Sequence, residues 1–252
     1  MLRSDSIEKM EQYSLETSAR LTTADVDMEG RLKPGALVGF LVQSAISSAD
    51  DLGFGFDNLK EQSLFWVLHR LSVEILRPVM WNETIRVETW PKDIDGLFYI
   101  RDFQIRDGAG QVVVRSTSGW LAVNRKNKRP AIIDTVQKEK FSALKDKHAI
   151  SEFPGKLNPV TEGDLAQIKP SWYDFDINRH VTSSRYIDWM MDMLPFDFHR
   201  DHYPQSLSVN FLKEVLPGET IRLIRHDEAS CCHFEGTKET TERCAFRGLI
   251  RF

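Results

Sequence analysis

The sequence predicts an α+β fold built from two tandem repeats, each an antiparallel sheet wrapped round a long helix. The order strand, long helix and several strands occurs twice along the 252 residues. Residues 71–86 align without a gap on residues 207–222, at a constant offset of 136, and Leu, Ser, Val, Leu, Val, Glu, Thr, Ile and Arg recur in register. An ungapped match of this length indicates duplication, and two such copies can join as an internal pseudo-dimer.

The composition is that of an ordinary globular protein, with 41% hydrophobic and 28% charged residues. The net charge of −4 argues against a general nucleic-acid binder. The longest clean apolar run, residues 36–42, is too short to cross a bilayer, so we expect no membrane span. The N-terminus has no apolar core of a signal peptide, which favours a cytoplasmic protein.

The cysteines number three, at Cys231, Cys232 and Cys244, and all come late in the chain. An odd count with two adjacent members is typical neither of a disulfide framework nor of spaced metal ligands. We therefore expect small buried hydrophobic side chains in a reducing compartment, with no metal and no cofactor.

The first repeat begins with an alternating strand over residues 11–23, followed by a helix over residues 32–52. Pro34 suits the first turn of this helix and Gly53 its C-terminal cap. Its apolar residues surround most of the cylinder, which is typical of a buried helix. The strands expected next cover residues 65–76, 84–90, 97–107 and 111–124, the last two joined by a turn at residues 107–110.

A more polar stretch separates the repeats, with one short helix expected at residues 135–144. The second repeat then shows a strand over residues 165–172, a helix over residues 185–194, and strands over residues 205–216, 220–225, 231–236 and 242–252. The predicted organisation is therefore an N-terminal repeat at 1–134, a linker at 135–162 and a C-terminal repeat at 163–252.

A polar run just before the second helix is the first candidate site. Asp176, Asn178 and His180 lie on a short turn, and Thr182 or Ser183 can serve as the helix N-cap. A helix N-terminus carries free N–H groups and partial positive charge, which suits a substrate oxygen that becomes negative. On its own, this pattern also fits a capped turn with solvated side chains.

Alignment of the two repeats shows which residues they share and which occur in only one of them. A weaker match sets residues 22–27 on residues 171–176 at an offset of 149, so Asn178 and His180 align with Glu29 and Arg31. Glu214 aligns with Pro78 at the offset of 136. A duplicated fold with one working site predicts this asymmetry, although drift in an inert binding protein would also produce it.

With these residues the chain resembles the fatty acyl-ACP thioesterases, which have a double-hotdog fold. Residues 176–181 match the Asp-x-Asn-x-His-Val signature of that family, and the Tyr-Ile-x-Trp of its helix follows at residues 186–189. Glu214 stands where the family carries its strand-end glutamate. Further landmarks lie at residues 65–70, 85–90, 101–102 and 117–120. The resemblance covers nearly the whole chain after about residue 10.

Three positions depart from the plant members. Thr182 and Ser183 replace the two asparagines that usually follow the histidine and valine. Val215 stands where plant members often have a cysteine, so a thiol nucleophile is not available there. The absence of a transit peptide favours a bacterial form.

The resemblance implies hydrolysis of the thioester of fatty acyl-ACP, the step that ends fatty acid elongation. Glu214 would act as general base on a water molecule. His180 would orient that water and protonate the leaving thiolate, and the division of roles between these two residues stays open. Asn178 would position the water or the carbonyl, and Asp176 would fix Asn178 or His180. Thr182 and Ser183, at the helix N-terminus, would help to hold the oxyanion.

The asymmetry between the repeats also predicts where the substrate binds, because the candidate catalytic groups occur only in the second repeat and the first keeps the longer, mostly apolar helix region. The acyl chain would lie in the first repeat, with Phe40, Leu41 and Trp66 as candidate contacts. The partner would be an acyl carrier protein that bears a phosphopantetheine-linked chain, with no nucleic acid and no cofactor. A basic turn at Arg125, Lys126, Lys128 and Arg129 is either a solvated hairpin loop or the dock for this acidic carrier. Homodimer formation stays open.

Two other functions remain for comparison. A hotdog acyl-CoA thioesterase would share this chemistry, and a non-catalytic acyl-binding protein would share the fold. A hotdog hydratase fits less well, because neither Asp174 nor Asp176 has the expected spacing from His180.

Overall fold

The computed structural model of the protein describes residues 12–133 and 139–252. Within them, eleven strands form one antiparallel sheet, in the order β1-β3-β4-β5-β2-β8-β11-β10-β9-β7, with β6 paired to β5. The first repeat comprises β1 (Leu15–Arg20), α1 (Pro34–Asp51), α2 (Phe56–Glu61), β2 (Leu64–Ile75), β3 (Thr84–Asp95), β4 (Phe98–Arg106), β5 (Val112–Asn124) and β6 (Pro130–Ala131). Helix α3 (Glu139–Ser142) follows.

The second repeat has the same order of strands and helices. It comprises β7 (Asp164–Ile168), a 3-10 turn (Trp172–Asp174), α4 (Ser183–Asp192), α5 (Phe196–Asp201), β8 (Ser206–Phe211), β9 (Ile221–Glu228), β10 (Cys231–Lys238) and β11 (Arg243–Arg251). Each half of the sheet has the same strand order, read outward from the seam between β2 and β8.

A pseudo-twofold axis passes through the seam. Ser72 pairs with Ser208, the residue equivalent to it at the offset of 136, and their hydroxyl oxygens lie 3.2 Å apart. Leu71 and Val73 exchange partners across this point, facing Val209 and Leu207. The duplication inferred from sequence therefore has a direct structural counterpart, and the two repeats share one continuous sheet.

The helices lie on one face of the sheet, where α1 packs against α4. Gly35 is at the contact, because a Cβ atom there would lie 2.0 Å from the Asp188 Oδ1 atom and 3.0 Å from the Ser184 carbonyl oxygen. Leu37, Val38 and Leu41 of α1 are fully or almost fully buried. Helix α1 begins at Pro34, two residues after the predicted start, and the chain turns after it at Gly53, whose φ is +79°. None of the helices in the described segments is long and apolar enough to cross a membrane.

The segment between the repeats runs across the opposite face of the sheet. The carbonyl of Lys147 accepts a hydrogen bond from the Trp90 indole of β3 (3.1 Å), and the Ala149 amide donates to Asp102 of β4 (2.7 Å). Three further hydrogen bonds follow along the segment. The Pro154 carbonyl accepts from Arg70 of β2, the Leu157 amide donates to Asn210 of β8, and the Val160 amide donates to Glu235 of β10. The predicted linker is thus a packed strap, beneath which Lys92 pairs with the buried Asp102 at 3.1 Å.

Several predicted boundaries were wrong. The strand expected to reach residue 172 ends at Ile168, because Pro170 has no N–H and disfavours a continuing regular strand. Strand β8 ends at Phe211 and not at residue 216. Directly after Phe211, the amides of Leu212 and Lys213 both donate to the Ala245 carbonyl, which interrupts the regular pairing. Strands β3 and β9 run on to Asp95 and Glu228.

Two short helices were not predicted. Each of α2 and α5 has six residues with few apolar positions, too few for a helical period to show. Of the helix predicted at residues 135–144, only α3 is seen, and residues 135–138 lie outside the described segments, as does Glu11 of the first predicted strand.

Candidate functional site

The turn before α4 is organised by the carboxylate of Asp176. Its Oδ1 atom accepts hydrogen bonds from the Asn178 amide (2.8 Å) and the His180 amide (3.1 Å). The Asp176 amide donates in turn to the His180 carbonyl (2.8 Å). Arg179 has a left-handed φ of +63°, which closes the turn. Asp176 therefore fixes the backbone that carries His180, while the Asn178 side chain is exposed.

The first repeat contains the same turn without the same side chains. Asp27 Oδ1 accepts from the amides of Glu29 and Arg31, both at 2.9 Å, and Gly30 supplies the left-handed residue at φ +75°. The aspartate is thus part of the repeated scaffold. Arg31, which stands in place of His180, pairs with Asp27 at 2.9 Å and serves structure there.

His180 meets Glu214 at the surface of the second repeat. The His180 Nε2 and Glu214 Oε2 atoms lie 2.8 Å apart, and the two side chains are 24% and 37% exposed. The Val181 amide donates to the Val215 carbonyl (3.1 Å), which holds the loop after β8 against the turn. Glu214 lies three residues beyond the end of β8, so the prediction of a strand over residues 205–216, which included it, was wrong at this end.

Tyr186 supports this loop from helix α4, a role that sequence reasoning missed. Its buried hydroxyl hydrogen-bonds to the backbone of Val215, and burial raises the pKa of this phenol. The ring packs edge-on against Phe211 and Phe246. A tyrosine on the buried face of a helix beside a polar turn was the available signal, because a buried hydroxyl requires a partner.

The N-terminus of α4 lies directly after His180. Thr182 is the N-cap residue but its side chain makes no capping hydrogen bond, and Ser183 begins the helix. Arg185 of the first turn binds Asp174 at 2.7 Å and Asp188 at 2.8 Å, which ties the 3-10 turn to the helix. The Thr182 side chain therefore caps none of the early N–H groups of α4, of which that of Arg185 donates to the Thr182 carbonyl (3.0 Å).

An apolar pocket opens in the first repeat. Trp66 lines it, with its indole N–H bonded to the Phe54 carbonyl (2.9 Å). The other lining residues come from α1, the loop after it, α3 and the surrounding strands: Ala45, Ile46, Ala49, Phe54, Pro91, Tyr99, Ile100, Arg101, Trp120 and Phe141. Phe40 and Leu41 do not line this pocket. Leu41 is buried in the main core, and Phe40 packs against it.

The basic turn after β5 divides into two parts. Arg125 is half-buried, donates from Nε to the Leu64 carbonyl (3.1 Å) and lies over the rings of Phe56 and Phe65. Lys126, Lys128 and Arg129 are exposed. Arg125 therefore has a structural role in holding the turn, and the exposed three carry its accessible charge.

The cysteines differ from each other in burial. Cys232 is buried as expected, whereas Cys231 and Cys244 are only half-buried, and all three are free thiols. Burial raises the pKa of Cys244 and of Cys232 to about 12. The prediction of three buried hydrophobic cysteines is therefore wrong for two of them.

Comparison with known proteins places this fold in a defined class. A solved acyl-ACP thioesterase from Bacteroides thetaiotaomicron superposes with a TM-score of 0.89 at 25% identity, over 96% of this chain and 99% of that one. A 12:0-ACP thioesterase from Umbellularia californica superposes with a TM-score of 0.83 at 21% identity, over 94% and 96% of the two chains. The fold is a double hotdog, as predicted.

The family follows from the sequence. The family models for the acyl-ACP thioesterase N-terminal and C-terminal domains match residues 12–140 and 157–252. The chain therefore belongs to the acyl-ACP thioesterase family. It is 30% identical to a chloroplastic dodecanoyl-[acyl-carrier-protein] hydrolase of Cinnamomum camphora, over 71% of this chain and 50% of that protein. An acyl-[acyl-carrier-protein] hydrolase of Cuphea viscosissima is 26% identical over 80% and 52%. The chain spans about half the length of these curated relatives.

Proposed function

We propose that the protein hydrolyses the thioester of fatty acyl-ACP to a free fatty acid and ACP, ending fatty acid elongation. The contact between His180 and Glu214, at 2.8 Å in a member of this family, is the observation that carries the proposal. It joins a carboxylate to an imidazole beside a helix N-terminus, which are the groups that water attack on a thioester requires.

In the proposed reaction Glu214 accepts a proton from water, and the resulting hydroxide adds to the thioester carbonyl carbon. The C–S bond then breaks, and the proton passes through His180 to the leaving phosphopantetheine thiolate. The 2.8 Å contact between His180 Nε2 and Glu214 Oε2 supports this relay, because it leaves a short path for a proton between the two groups. No covalent acyl-enzyme is needed.

The remaining residues of the turn position these groups. Asp176 holds the backbone of Asn178 and His180 through its two hydrogen bonds to their amides. The exposed amide of Asn178 orients the water or the carbonyl. The N-terminus of α4 at Thr182 and Ser183 stabilises the oxyanion, since its N–H groups lack a side-chain cap.

The two repeats have different tasks in this proposal. The first repeat, residues 1–134, binds the acyl chain in the apolar pocket beside Trp66, and the repeat at 163–252 carries the chemistry. Exposed Lys126, Lys128 and Arg129 meet the acidic carrier protein. Because β2 and β8 already join two repeats within one chain, a homodimer is not needed to complete the site. Three free cysteines support action in a reducing cytoplasm.

Turnover of matched acyl-ACP and acyl-CoA by the purified protein tests the proposal. We expect release of free fatty acid from acyl-ACP with a higher kcat/KM than from acyl-CoA of the same chain length. Preference for acyl-CoA would assign the alternative thioesterase activity. Tight binding of acyl-ACP without release of fatty acid would assign a non-catalytic acyl-binding function.

A further inference from the structure

Two adjacent strands of the second repeat bring together a cysteine, a histidine and a glutamate outside the His180–Glu214 site. Cys231 and His233 lie two positions apart on β10, so their side chains share a face of the sheet. Glu228 ends β9 and pairs directly with Cys231 across the hairpin. His226 pairs with His233 in the same way, which places a second imidazole on this face.

The three ligand atoms already have the spacing of a tetrahedral metal site. Cys231 Sγ lies 3.6 Å from His233 Nε2 and 3.8 Å from Glu228 Oε2, and His233 Nε2 lies 3.4 Å from the same carboxylate oxygen. Metal bonds of about 2.3 Å to sulfur and about 2.0–2.2 Å to nitrogen and oxygen, opened to a tetrahedral angle, separate such atoms by about 3.3–3.6 Å. One ion can therefore contact all three with only a small closing movement.

We propose that Cys231, His233 and Glu228 form a binding site for a divalent transition-metal ion, with Zn²⁺ the best match. The mixture of thiolate, imidazole and carboxylate is the donor set that zinc accepts, whereas Ca²⁺ and Mg²⁺ prefer oxygen alone. On binding, the Cys231 thiol loses its proton to solvent, so the thiolate, the carboxylate and the ion are together neutral. Nothing in the proposed hydrolysis uses these residues.

The neighbouring charges are compatible with this assignment. Burial and the Glu228 carboxylate raise the pKa of the Cys231 thiol, and Arg251, which pairs with Cys231 from the other side on β11, opposes this shift. All three ligands are at least partly exposed, so an ion can enter without unfolding of the sheet. The inner face of β10 at this point is occupied by Cys232 and Phe234, which are buried and hold the hairpin in place.

Sequence reasoning did not find this group, because it considered the cysteines alone. The signal was a His-x-Glu pair at residues 226–228 followed by a Cys-x-His pair at residues 231–233. In an antiparallel hairpin, two such pairs face each other on one side of the sheet.

The test is metal binding by the full-length protein after treatment with a chelator. Zn²⁺ is titrated in competition with a chromogenic zinc indicator, and Co²⁺ is added to a second sample for absorption spectroscopy. We expect one Zn²⁺ per chain, a higher Tm with Zn²⁺, and a Co²⁺ spectrum with tetrahedral visible bands and a thiolate charge-transfer band.

Variants separate a built site from surface adsorption. Loss of even a supporting group costs about 10- to 100-fold in metal affinity, so Cys231→Ser and His233→Ala should each weaken Zn²⁺ binding by at least about tenfold. Cys231→Ser should also remove the charge-transfer band. The matched controls Cys244→Ser and His148→Ala should bind as the wild type, since neither residue belongs to the group.

Absence of stoichiometric Zn²⁺ binding, unchanged binding by Cys231→Ser, or equal weakening in the two control variants would each overturn the proposal. Hydrolysis of acyl-ACP should be the same with and without chelator, and in Cys231→Ser, within a few-fold. The outcome for the metal site is thus measured independently of the outcome for the thioesterase proposal.

Discussion

Glu214 occupies in the second repeat the position that Pro78 holds in the first. The carbonyls of the residues that follow them, Val215 and Val79, accept equivalent backbone hydrogen bonds at 3.1 and 2.8 Å. The loop therefore adopts the same course with a proline as with a glutamate. The carboxylate is not needed for the conformation of the loop, so its replacement tests chemistry instead of folding.

Glu214→Gln should abolish most activity without loss of stability. The amide keeps the size of the side chain and its contact with His180, but it cannot accept a proton from water. We expect kcat for acyl-ACP to fall by roughly 10²–10⁴-fold, with little change in KM or Tm. A folded Glu214→Gln protein that hydrolyses acyl-ACP at nearly the wild-type rate would move the base role to His180.

His180→Ala should be about as damaging as Glu214→Gln. The double variant should fall little below the worse single one, because groups that act as a unit are not additive. Glu219→Gln is the matched control in the same loop, where Glu219 accepts from the Leu216 amide at 2.8 Å. A loss of kcat in this control equal to that of Glu214→Gln would indicate loop disorder instead of loss of a base.

Tyr186→Phe should lower kcat through the position of Glu214. The change removes the hydroxyl that bonds the Val215 backbone and keeps the packed ring. Loss of one such bond costs about 1 kcal/mol of stability. Tyr203→Phe is a control of equal size, because its hydroxyl bonds the Leu32 carbonyl in the first repeat. Both variants should lose similar stability, but only Tyr186→Phe should lose kcat severalfold, and equal kcat values would refute the positioning role.

The repeat and the turn before α4 could be predicted from the sequence. The contact between His180 of this turn and Glu214 could not. The Asp-x-Asn-x-His pattern is local, and Asp176 closes it with hydrogen bonds to amides two and four residues further on. The 2.8 Å contact of His180 with Glu214 depends on the Val181–Val215 hydrogen bond and on where β8 ends. Strand β8 ends where two consecutive amides, of Leu212 and Lys213, donate hydrogen bonds to the Ala245 carbonyl of β11. This is a tertiary contact, so the periodicity of a single strand does not predict it.

Filling the apolar pocket should shorten the preferred acyl chain. Ala49 lines the pocket beside Trp66, and a larger side chain there takes the space of chain carbons. Each CH₂ excluded costs about 0.8 kcal/mol, or about fourfold in kcat/KM. Ala49→Phe should therefore move the optimum toward shorter acyl-ACPs, as measured over a series of chain lengths. Met193→Ala, in the second repeat, is the control, and an equal shift there would place the chain elsewhere.

Charge reversal on the basic turn should affect only the carrier protein. Lys126→Glu with Arg129→Glu leaves the half-buried Arg125 in place, so the turn stays folded. We expect a higher KM for acyl-ACP and a weaker dependence of kcat/KM on salt, with unchanged hydrolysis of a small acyl thioester. Lys169→Glu with Arg243→Glu reverses two exposed charges of the second repeat as a control. Equal KM values for both double variants would show that the basic turn is a solvated loop and does not bind the carrier protein.

Two glycines of α1 should respond oppositely to the same substitution. An alanine at Gly35 would bring Cβ to 2.0 Å from Asp188 Oδ1, so Asp188 must move and give up its 2.8 Å pairing with Arg185. At Gly39, one turn later, a Cβ meets no atom within 4 Å. Gly35→Ala should cost about 1–3 kcal/mol in the free energy of unfolding, as overpacking does. Gly39→Ala should add up to about 1 kcal/mol, because alanine favours a helix. Urea unfolding of both variants measures this difference.

Since α4 carries the candidate site at its N-terminus, Gly35→Ala should also lower kcat for acyl-ACP, whereas Gly39→Ala should not. Equal stabilities of the two variants would show that the helices do not approach each other this closely.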